Sequence, residues 1–234
     1  MTRTPLIVIP VKEFSQAKSR LGSRLSTDHR VALAQRLCER TLRFFARAFP
    51  DHDRLVVTAS PAIGKLASKH GAMVLEEAAA DGLSLAAQRA AAWACRHDYP
   101  AQLLIPADIV QLDEEEIRRL LEARRNEAPC TVICPASDGG TNALLTAPPD
   151  ALSFHFGPLS AEAHREAALY QGLSCQVLEL TNLRFDLDTP ADLNTLDALI
   201  QQHSGETPQE LKTLWNLCTT PSDMTPQIAR LATP

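Results

Sequence analysis

Three groups of side chains in this chain are of types, and at spacings, that could handle phosphate chemistry. The first is basic. The stretch IPVKEFSQAKSRL carries Lys12, Lys18 and Arg20 directly after an apolar run. Three cations on a loop entering a helix suit a polyphosphate, with helix amides adding to the side-chain donors. There is no glycine-rich phosphate loop, so side chains and a longer backbone loop must meet the anion. The second group is acidic. Asp108 closes the hydrophobic run of IPADIVQLDEEEI, where an unpaired carboxylate is costly unless a cation or donors meet it. Asp113 already suits the cap of the next helix, which leaves Asp108 for another task. In LRFDLDTPADL, Asp186 and Asp188 stand two apart on an extended stretch and project the same way. Two close carboxylates repel, and one pKa rises unless a divalent ion sits between them. Magnesium is the expected ion. The third group is small and polar. Gly139 and Gly140 in SDGGTNALL permit close backbone approach to a ligand. Gly157, followed by Ser160 as a helix N-cap in FHFGPLSAEAH, presents backbone N–H groups to an anion. His155 and His164 each stand alone beside a helix or strand, and neither is expected to act as acid or base.

The elements that position these groups alternate. Strands are expected at 6–11, 54–59, 73–77, 102–107 and 131–136, and in NALLTA, CQVLEL and LRFDLD. Helices are expected from Thr27 to about Ala48 (with its arginines on the outer face), from Ser60-Pro61 to Gly71, and from Ser84 to Arg96. Further helices follow a capping box at Asp113 to Glu116, run from Ser160 to Tyr170, and start at Thr189-Pro190. This alternation predicts an α/β sandwich with a mainly parallel sheet and an antiparallel addition near residues 140–185. Ligands in such sheets lie beyond the carboxyl ends of strands, where the basic loop, the Gly82 turn of DGLSLAAQRA, Asp108 and the Asp186–Asp188 pair all fall. Residues 1–200 are expected to form this domain. Residues 201–234, rich in Thr, Pro and Ser, form an appendage with a capping box at Thr207 to Glu210 and one short helix. Trp215 on that helix either packs on the domain or serves an oligomer contact.

Composition narrows the function. The 234 residues carry 23 Lys+Arg against 28 Asp+Glu, a net charge of −5. A surface that coats nucleic acid needs a basic excess, so no nucleic-acid partner is expected. Residues 1–47 nonetheless carry +7 and the remainder −12, which directs the search for an anion site to the N-terminal part and a cation site beyond it. The apolar runs are about six residues long, far short of the roughly 20 that span a bilayer. No membrane association and no secretory signal are expected, which places the chain in the cytoplasm. Cys130 and Cys134 are the one close pair of the six cysteines, without a histidine cluster, and read as reduced core residues rather than a zinc site.

The motifs PVK, AKSRL, PAD, DGGTNALL, FGPxS with a following histidine, and FDLDTPADL occur in an order that resembles the 2-phospho-L-lactate guanylyltransferase family, also known as phosphoenolpyruvate guanylyltransferases, of coenzyme F420 biosynthesis. The resemblance covers about residues 6–200. It implies a nucleotidyltransferase-like three-layer α/β/α sandwich, GTP as donor, Mg²⁺ as cofactor, and a small phospho-acid as acceptor: 2-phospho-L-lactate, phosphoenolpyruvate or 3-phosphoglycerate. By the same resemblance Asp108, Asp186 and Asp188 hold the metal. Lys12 and Lys18 meet the triphosphate, beside Pro10, Val11 and Arg20. Gly82, Ser84 and Pro106 lie on the nucleotide side. Thr141, Asn142, Gly157 and Ser160 face the acceptor. The family often has Gly-Leu-Asn where this chain has Gly82-Leu83-Ser84, and a glycine where Leu159 stands. Two other readings remain beside it: a nucleotidyltransferase for a molybdopterin or sugar phosphate, and a non-catalytic nucleotide-binding module. A homodimer is compatible with either enzyme reading.

Overall fold

The central strand is the run LIVIP, β1 (Leu6–Pro10). Leu6 and Val8 pack on one face of the sheet and Ile7 and Ile9 on the other. All four are fully buried, as an apolar run covered on both faces must be. The computed structural model describes residues 3–124, 129–202 and 209–219. Around β1 stand β2 (Arg54–Thr58), β3 (Met73–Glu76), β4 (Gln102–Leu104), β5 (Cys130–Pro135), β6 (Thr141–Ala147) and β7 (Ser174–Val177), in the order β3-β2-β1-β4-β6-β5-β7. The pairs β1–β2, β2–β3, β1–β4 and β5–β7 are parallel, and β6 runs antiparallel to both β4 and β5. The antiparallel addition is thus the single strand that carries Thr141 and Asn142.

Helices cover both faces. The helices α1 (Thr27–Ala48), α2 (Pro61–Lys69) and α4 (Glu114–Glu122) press Cys38, Leu42, Phe45, Ile63, Ala67, Ile117 and Leu120 onto Ile7, Ile9, Val56, Leu103, Val132 and Leu145. On the other face, α3 (Leu83–Arg96) applies an alanine stripe, Ala86, Ala87, Ala90 and Ala94, to Leu6, Val8, Leu55 and Leu104. The small side chains let this helix lie close to the strands. Beside it, α5 (Ser160–Tyr170) covers Ile133 and Leu144 through Ala168. The three-layer α/β/α sandwich is therefore as expected. Cys38, Cys130 and Cys134 are buried free thiols within it. No helix among the described residues is long and apolar enough to cross a membrane.

The last two helices, α6 (Pro190–Gln202) and α7 (Gln209–Thr219), close a second core at one end of α1. Leu214 is fully buried there, with Leu33, Leu37, Leu193 and Leu196, and Trp215 is packed against the same cluster. The capping box at Thr207 to Glu210 begins outside the described residues.

Four local expectations are corrected. LRFDLD is not a strand of the sheet: a lone antiparallel bridge joins Asp186 to Ile109. Its alternation still sorts Leu183, Phe185 and Leu187 into the interior. Glu116 does not complete a capping box with Asp113. Asp113 does accept from the Glu116 amide at 2.9 Å, but the Glu116 carboxylate accepts from the amides of Asn182 and Leu183, across the fold. Arg40 does not lie with the outer-face arginines. It is 9 % exposed and donates to the carbonyl of Ile109 at 3.1 Å. Ser160 is not the N-cap of α5. Leu159, at φ 55°, holds that place without a capping bond, and Ser160 turns inward.

Candidate active site

The carboxyl ends of β1 and β4 open into a cavity of about 390 Å³, the place where open α/β sheets take their ligands. Pro10, Val11, Lys12 and Lys18 line it from the first loop, Gly82 and Leu83 from the start of α3, Pro106 and Asp108 from the turn after β4, and Asp188 from the distant acidic segment. Glu77, Phe14 and Gln16 also line it.

Lys18 is the centre of this arrangement. Its side chain is only 4 % exposed, and its backbone is left-handed at φ 56°, a conformation that costs a non-glycine residue about 1 kcal/mol or more. Two short 3₁₀ turns, Phe14–Gln16 and Ser19–Ser23, flank it within the loop that leads to α1. Lys18 Nζ lies 2.7 Å from Asp108 Oδ2 and 3.7 Å from Asp188 Oδ1. Burial works against the ammonium, but Asp108, Asp188 and Asp186 together outweigh it and raise the lysine's pKa. For Asp108 burial alone would favour the neutral acid. The adjacent Lys18 charge overrides it and holds the carboxyl below the usual range. Asp186 lacks so close a cation: burial first, then the Asp108 charge, push it up to about 6.

Backbone and buried polar groups bring the aspartates together. Beyond the Ile109–Asp186 bridge, Val110 N donates to Phe185 O at 3.0 Å and Leu187 N to Asp108 O at 3.4 Å. From α1, Arg40 holds the Ile109 carbonyl and Thr41 the Ala107 carbonyl. From α4, Glu116 fixes the 182–183 turn just ahead of Asp186. After Asp188, the Asp192 carboxylate accepts from the amides of Asp188 and Thr189. These holders act on backbone, so the carboxylates stay turned to the site.

The donor set fits a hard divalent ion, since it consists of carboxylate oxygens only. Among the described residues no three His, Cys, Asp or Glu side chains stand gathered as a ready metal cage. The Lys18 ammonium lies among the aspartates instead, and the Asp186 pKa is raised by burial first and by the Asp108 charge second.

A second polar group lies at the start of β6 and α5. Thr141 Oγ1 is 3.0 Å from Ser160 Oγ and 3.1 Å from His164 Nδ1. All three residues are buried. Gly157 sits at φ 145°, and a side chain there would meet no heavy atom within 4 Å. Leu159 covers Gly139: a Cβ on that glycine would come within 3.0 Å of Leu159 Cδ2. Leu159 itself is 67 % exposed.

Three predicted site residues are placed elsewhere than expected. Arg20 does not line the cavity; it pairs with Asp188 at 3.3 Å with its side chain largely exposed. The Ser84 hydroxyl accepts from the Phe156 amide at 2.9 Å, tying α3 to the 154–157 loop rather than facing the nucleotide cavity. The Asn142 amide donates to Leu183 O and to Asp186 Oδ1 at 3.2 Å, so it orients a carboxylate. Sequence reasoning missed Arg40, Glu116 and Glu77. Their partners are remote in the chain, and no local pattern marks them.

His164 brings a measurable consequence. Burial foremost, with His155 nearby, lowers its pKa to about 4. In the unfolded chain the same ring takes a proton near pH 6.5. Between those values the unfolded state binds more protons, so the stability from keeping this ring neutral is complete above pH 6.5. It is lost as pH falls toward 4, by about 3 kcal/mol in all. Urea titrations at pH 7 and pH 4.5 should show this loss in the wild type and a smaller one in His164→Leu.

The sandwich and its basic–acidic cavity define a nucleotidyltransferase-like protein. A solved structure from Desulfovibrio desulfuricans, described as belonging to the nucleotide-diphospho-sugar transferases by inference, shares the fold at TM-score 0.71, covering 93 % of this chain and 97 % of its own at 20 % identity. The chain belongs to the family described as guanylyl transferase CofC like, whose model matches residues 5–216 and so includes most of α7. The 3-phospho-D-glycerate guanylyltransferase of Colwellia psychrerythraea is 46 % identical over 89 % of this chain and 96 % of its own length. The phosphoenolpyruvate guanylyltransferase of Rubrobacter xylanophilus is 39 % identical over 82 % and 92 %.

Proposed function

We propose that this protein transfers a guanylyl group from GTP to the phosphate of a three-carbon phospho-acid and releases pyrophosphate, in the biosynthesis of coenzyme F420. The observation that carries the reading is the Lys18–Asp108–Asp188 cluster at the floor of the cavity, in a chain of this family. 3-Phospho-D-glycerate is the first acceptor to test, because the 46 % identical relative bears that name. Phosphoenolpyruvate and 2-phospho-L-lactate follow.

In this reading GTP lies along the cavity with its base near Gly82 and its phosphates over Lys12 and Lys18. The acceptor lies toward Thr141, Gly157 and Ser160. An oxygen of the acceptor phosphate forms a bond to the α-phosphorus. The bond from that phosphorus to the bridging oxygen breaks, and its electron pair leaves with pyrophosphate. A phosphomonoester has its second pKa near about 6 and is already anionic at neutral pH. No general base is needed, which agrees with a buried His164 whose pKa is far below neutrality. The residues' work is alignment and charge neutralisation. Mg²⁺, held by Asp108, Asp186 and Asp188, would offset repulsion between the two reacting polyanions. Lys18 takes up the charge that develops on the leaving pyrophosphate.

In this reading Glu77 would select guanine. Its side chain is 6 % exposed, it lines the cavity, and Arg89 holds it at 2.5 Å. A carboxylate accepts from both N1–H and the 2-amino group of guanine, a donor pair that adenine and cytosine do not offer. Glu77→Gln should lower kcat/KM for GTP by about tenfold or more and shrink the preference of GTP over inosine triphosphate, which lacks the 2-amino group. An unchanged ratio of the two substrates would remove Glu77 from base recognition. The function as a whole is tested by pyrophosphate release from GTP with each phospho-acid in turn. Release should require both substrates, and release that ignores the acceptor contradicts the reading.

A further inference from the structure

His164 is fully buried on α5, one helical turn after Ser160 and in contact with Thr141, and the reaction just described gives it no role. Its two ring nitrogens have different partners. Nε2 lies 2.9 Å from the amide nitrogen of His155. A backbone N–H can only donate, so Nε2 is the bare nitrogen and accepts. A neutral ring then carries its single proton on Nδ1. The partner of Nδ1 is Thr141 Oγ1 at 3.1 Å, so the imidazole donates and the threonine oxygen accepts.

That direction propagates. Thr141 Oγ1 also lies 3.0 Å from Ser160 Oγ. Because Thr141 receives a hydrogen bond from His164, its own proton is not used inward. The two hydroxyls share one bond between them, and one hydroxyl proton is left over. Among the described residues neither oxygen makes a further hydrogen bond. The opposite tautomer would make Thr141 donate to the ring, and the pair would lose that outward donor. It would also set two donors, the ring Nε2–H and the His155 N–H, against each other.

We propose that His164 is a positioning residue that fixes the hydrogen-bond direction of the Thr141–Ser160 pair, so that the pair presents a donor to the anionic acceptor. The proposal rests on the reading that Thr141 and Ser160 face the phospho-acid. Hydrogen bonds to charged groups are the strong ones, and a pre-set donor spares the site from reorganising when the anion arrives. The ring remains neutral throughout, with its pKa lowered to about 4, and adds no charge. The Nε2 bond to His155 N serves a separate end, holding the loop that carries Gly157.

Two substitutions separate these two bonds. His164→Asn keeps an N–H donor near the Nδ1 position and lacks the acceptor for His155. His164→Gln keeps an acceptor near the Nε2 position and lacks the donor to Thr141. KM for 3-phospho-D-glycerate and KM for GTP are measured for both. His164→Gln should raise the acceptor KM roughly tenfold with the GTP KM unchanged, and His164→Asn should stay within about threefold of wild type. The reverse ranking would show that holding the loop is all that His164 does, and it would overturn the proposal. Equal impairment of the two variants, or none in either, would overturn it as well. Long-range ¹H–¹⁵N correlation spectra of the wild type at pH 7, assigned by comparison with His164→Asn, read the tautomer directly. A proton on Nδ1 is expected, and a proton on Nε2 overturns the proposal even where a variant folds poorly. Thr141→Val and Ser160→Ala test the underlying reading separately. If they leave the acceptor KM unchanged, the acceptor assignment itself fails; if they raise it and His164→Gln does not, the proposal alone fails.

Discussion

Lys18→Met is expected to lower guanylyl transfer by about 10²–10³-fold, the usual cost of deleting one preorganised charge partner of a transition state. Methionine keeps the length and apolar character of the stem, so the 4 % exposed channel it occupies stays filled. What disappears is the one ammonium 2.7 Å from Asp108 and 3.7 Å from Asp188. Asp108 then loses its paired cation, and Asp188 keeps Arg20 alone. Removing one partner of a close ion pair leaves an uncompensated charge behind, so thermal stability should also fall in the substrate-free protein. Because Asp108 and Asp188 are about one-third exposed, solvent screens much of that penalty, and the catalytic loss should be the larger effect. Steady-state pyrophosphate release and a thermal melt measure the two. Turnover within a few-fold of wild type would show that Lys18 does not touch the triphosphate.

Asp188→Ala should reduce turnover by about 10³-fold or more, equivalent to about 4 kcal/mol of lost transition-state stabilisation. Asp188 lies on the cavity wall, one-third exposed, and its carboxylate meets both Lys18 and Arg20. It holds no core contact, so the fold should survive. Circular dichroism and the melting temperature should stay close to wild type while pyrophosphate release disappears. Raising the magnesium concentration should not restore the rate, because Asp108 and Asp186 cannot supply the missing ligand. Chelating divalent ions in the wild type should have the same effect as the substitution. Unchanged turnover in either experiment would contradict the assignment of metal to these three aspartates.

The strands and helices of residues 1–124 are legible in the sequence because their signals are local. LIVIP, RLVVT and MVLE are apolar runs between turn residues, and the α1 pattern recurs at helical spacing. LRFDLD shows where local patterns stop. Its alternation correctly assigned Leu183, Phe185 and Leu187 to the interior and set Asp186 and Asp188 on the site side. Alternation says which face a residue takes, not whether a neighbouring strand exists, and here a lone bridge to Ile109 exists. Glu116 misled for a related reason. A Glu three residues after a capping Asp is a local signature, yet the 182–183 amides compete for that carboxylate and win.

The site itself was legible in types and only partly in roles. Lys12, Lys18, Asp108 and Asp188 line one cavity as their strand-end positions implied. For Ser84 and Asn142 the family resemblance implies contact with the nucleotide and the acceptor. Each instead has a protein partner, the Phe156 amide and the Asp186 carboxylate, that only the tertiary fold brings near. In the sequence His164 is a lone histidine. Its meaning comes from Thr141, Ser160 and His155 converging on it, and a sequence holds no record of that convergence. Arg40 is buried against a backbone carbonyl, where a helical wheel would set a charged residue among its solvated neighbours.

The charge asymmetry along the chain narrows to a few groups. Of the basic residues before position 48, Lys12 and Lys18 line the cavity, Arg20 braces Asp188, and Arg40 braces the Asp108 turn. Most of the acidic excess beyond lies away from the site.

The central claim is that the α-phosphoryl group of GTP, with its guanosine, moves to the phospho-acid. The most direct measurement supplies GTP labelled at the α-phosphate or, in parallel, at the γ-phosphate, with 3-phospho-D-glycerate as acceptor and CTP, UTP and ATP as controls. The products are separated and identified by mass. The expected result is α-label in a guanosine diphosphate-linked acid, γ-label in pyrophosphate, and little transfer from the other nucleotides. Label from the γ-position in the acid, or equal transfer from CTP, would contradict it.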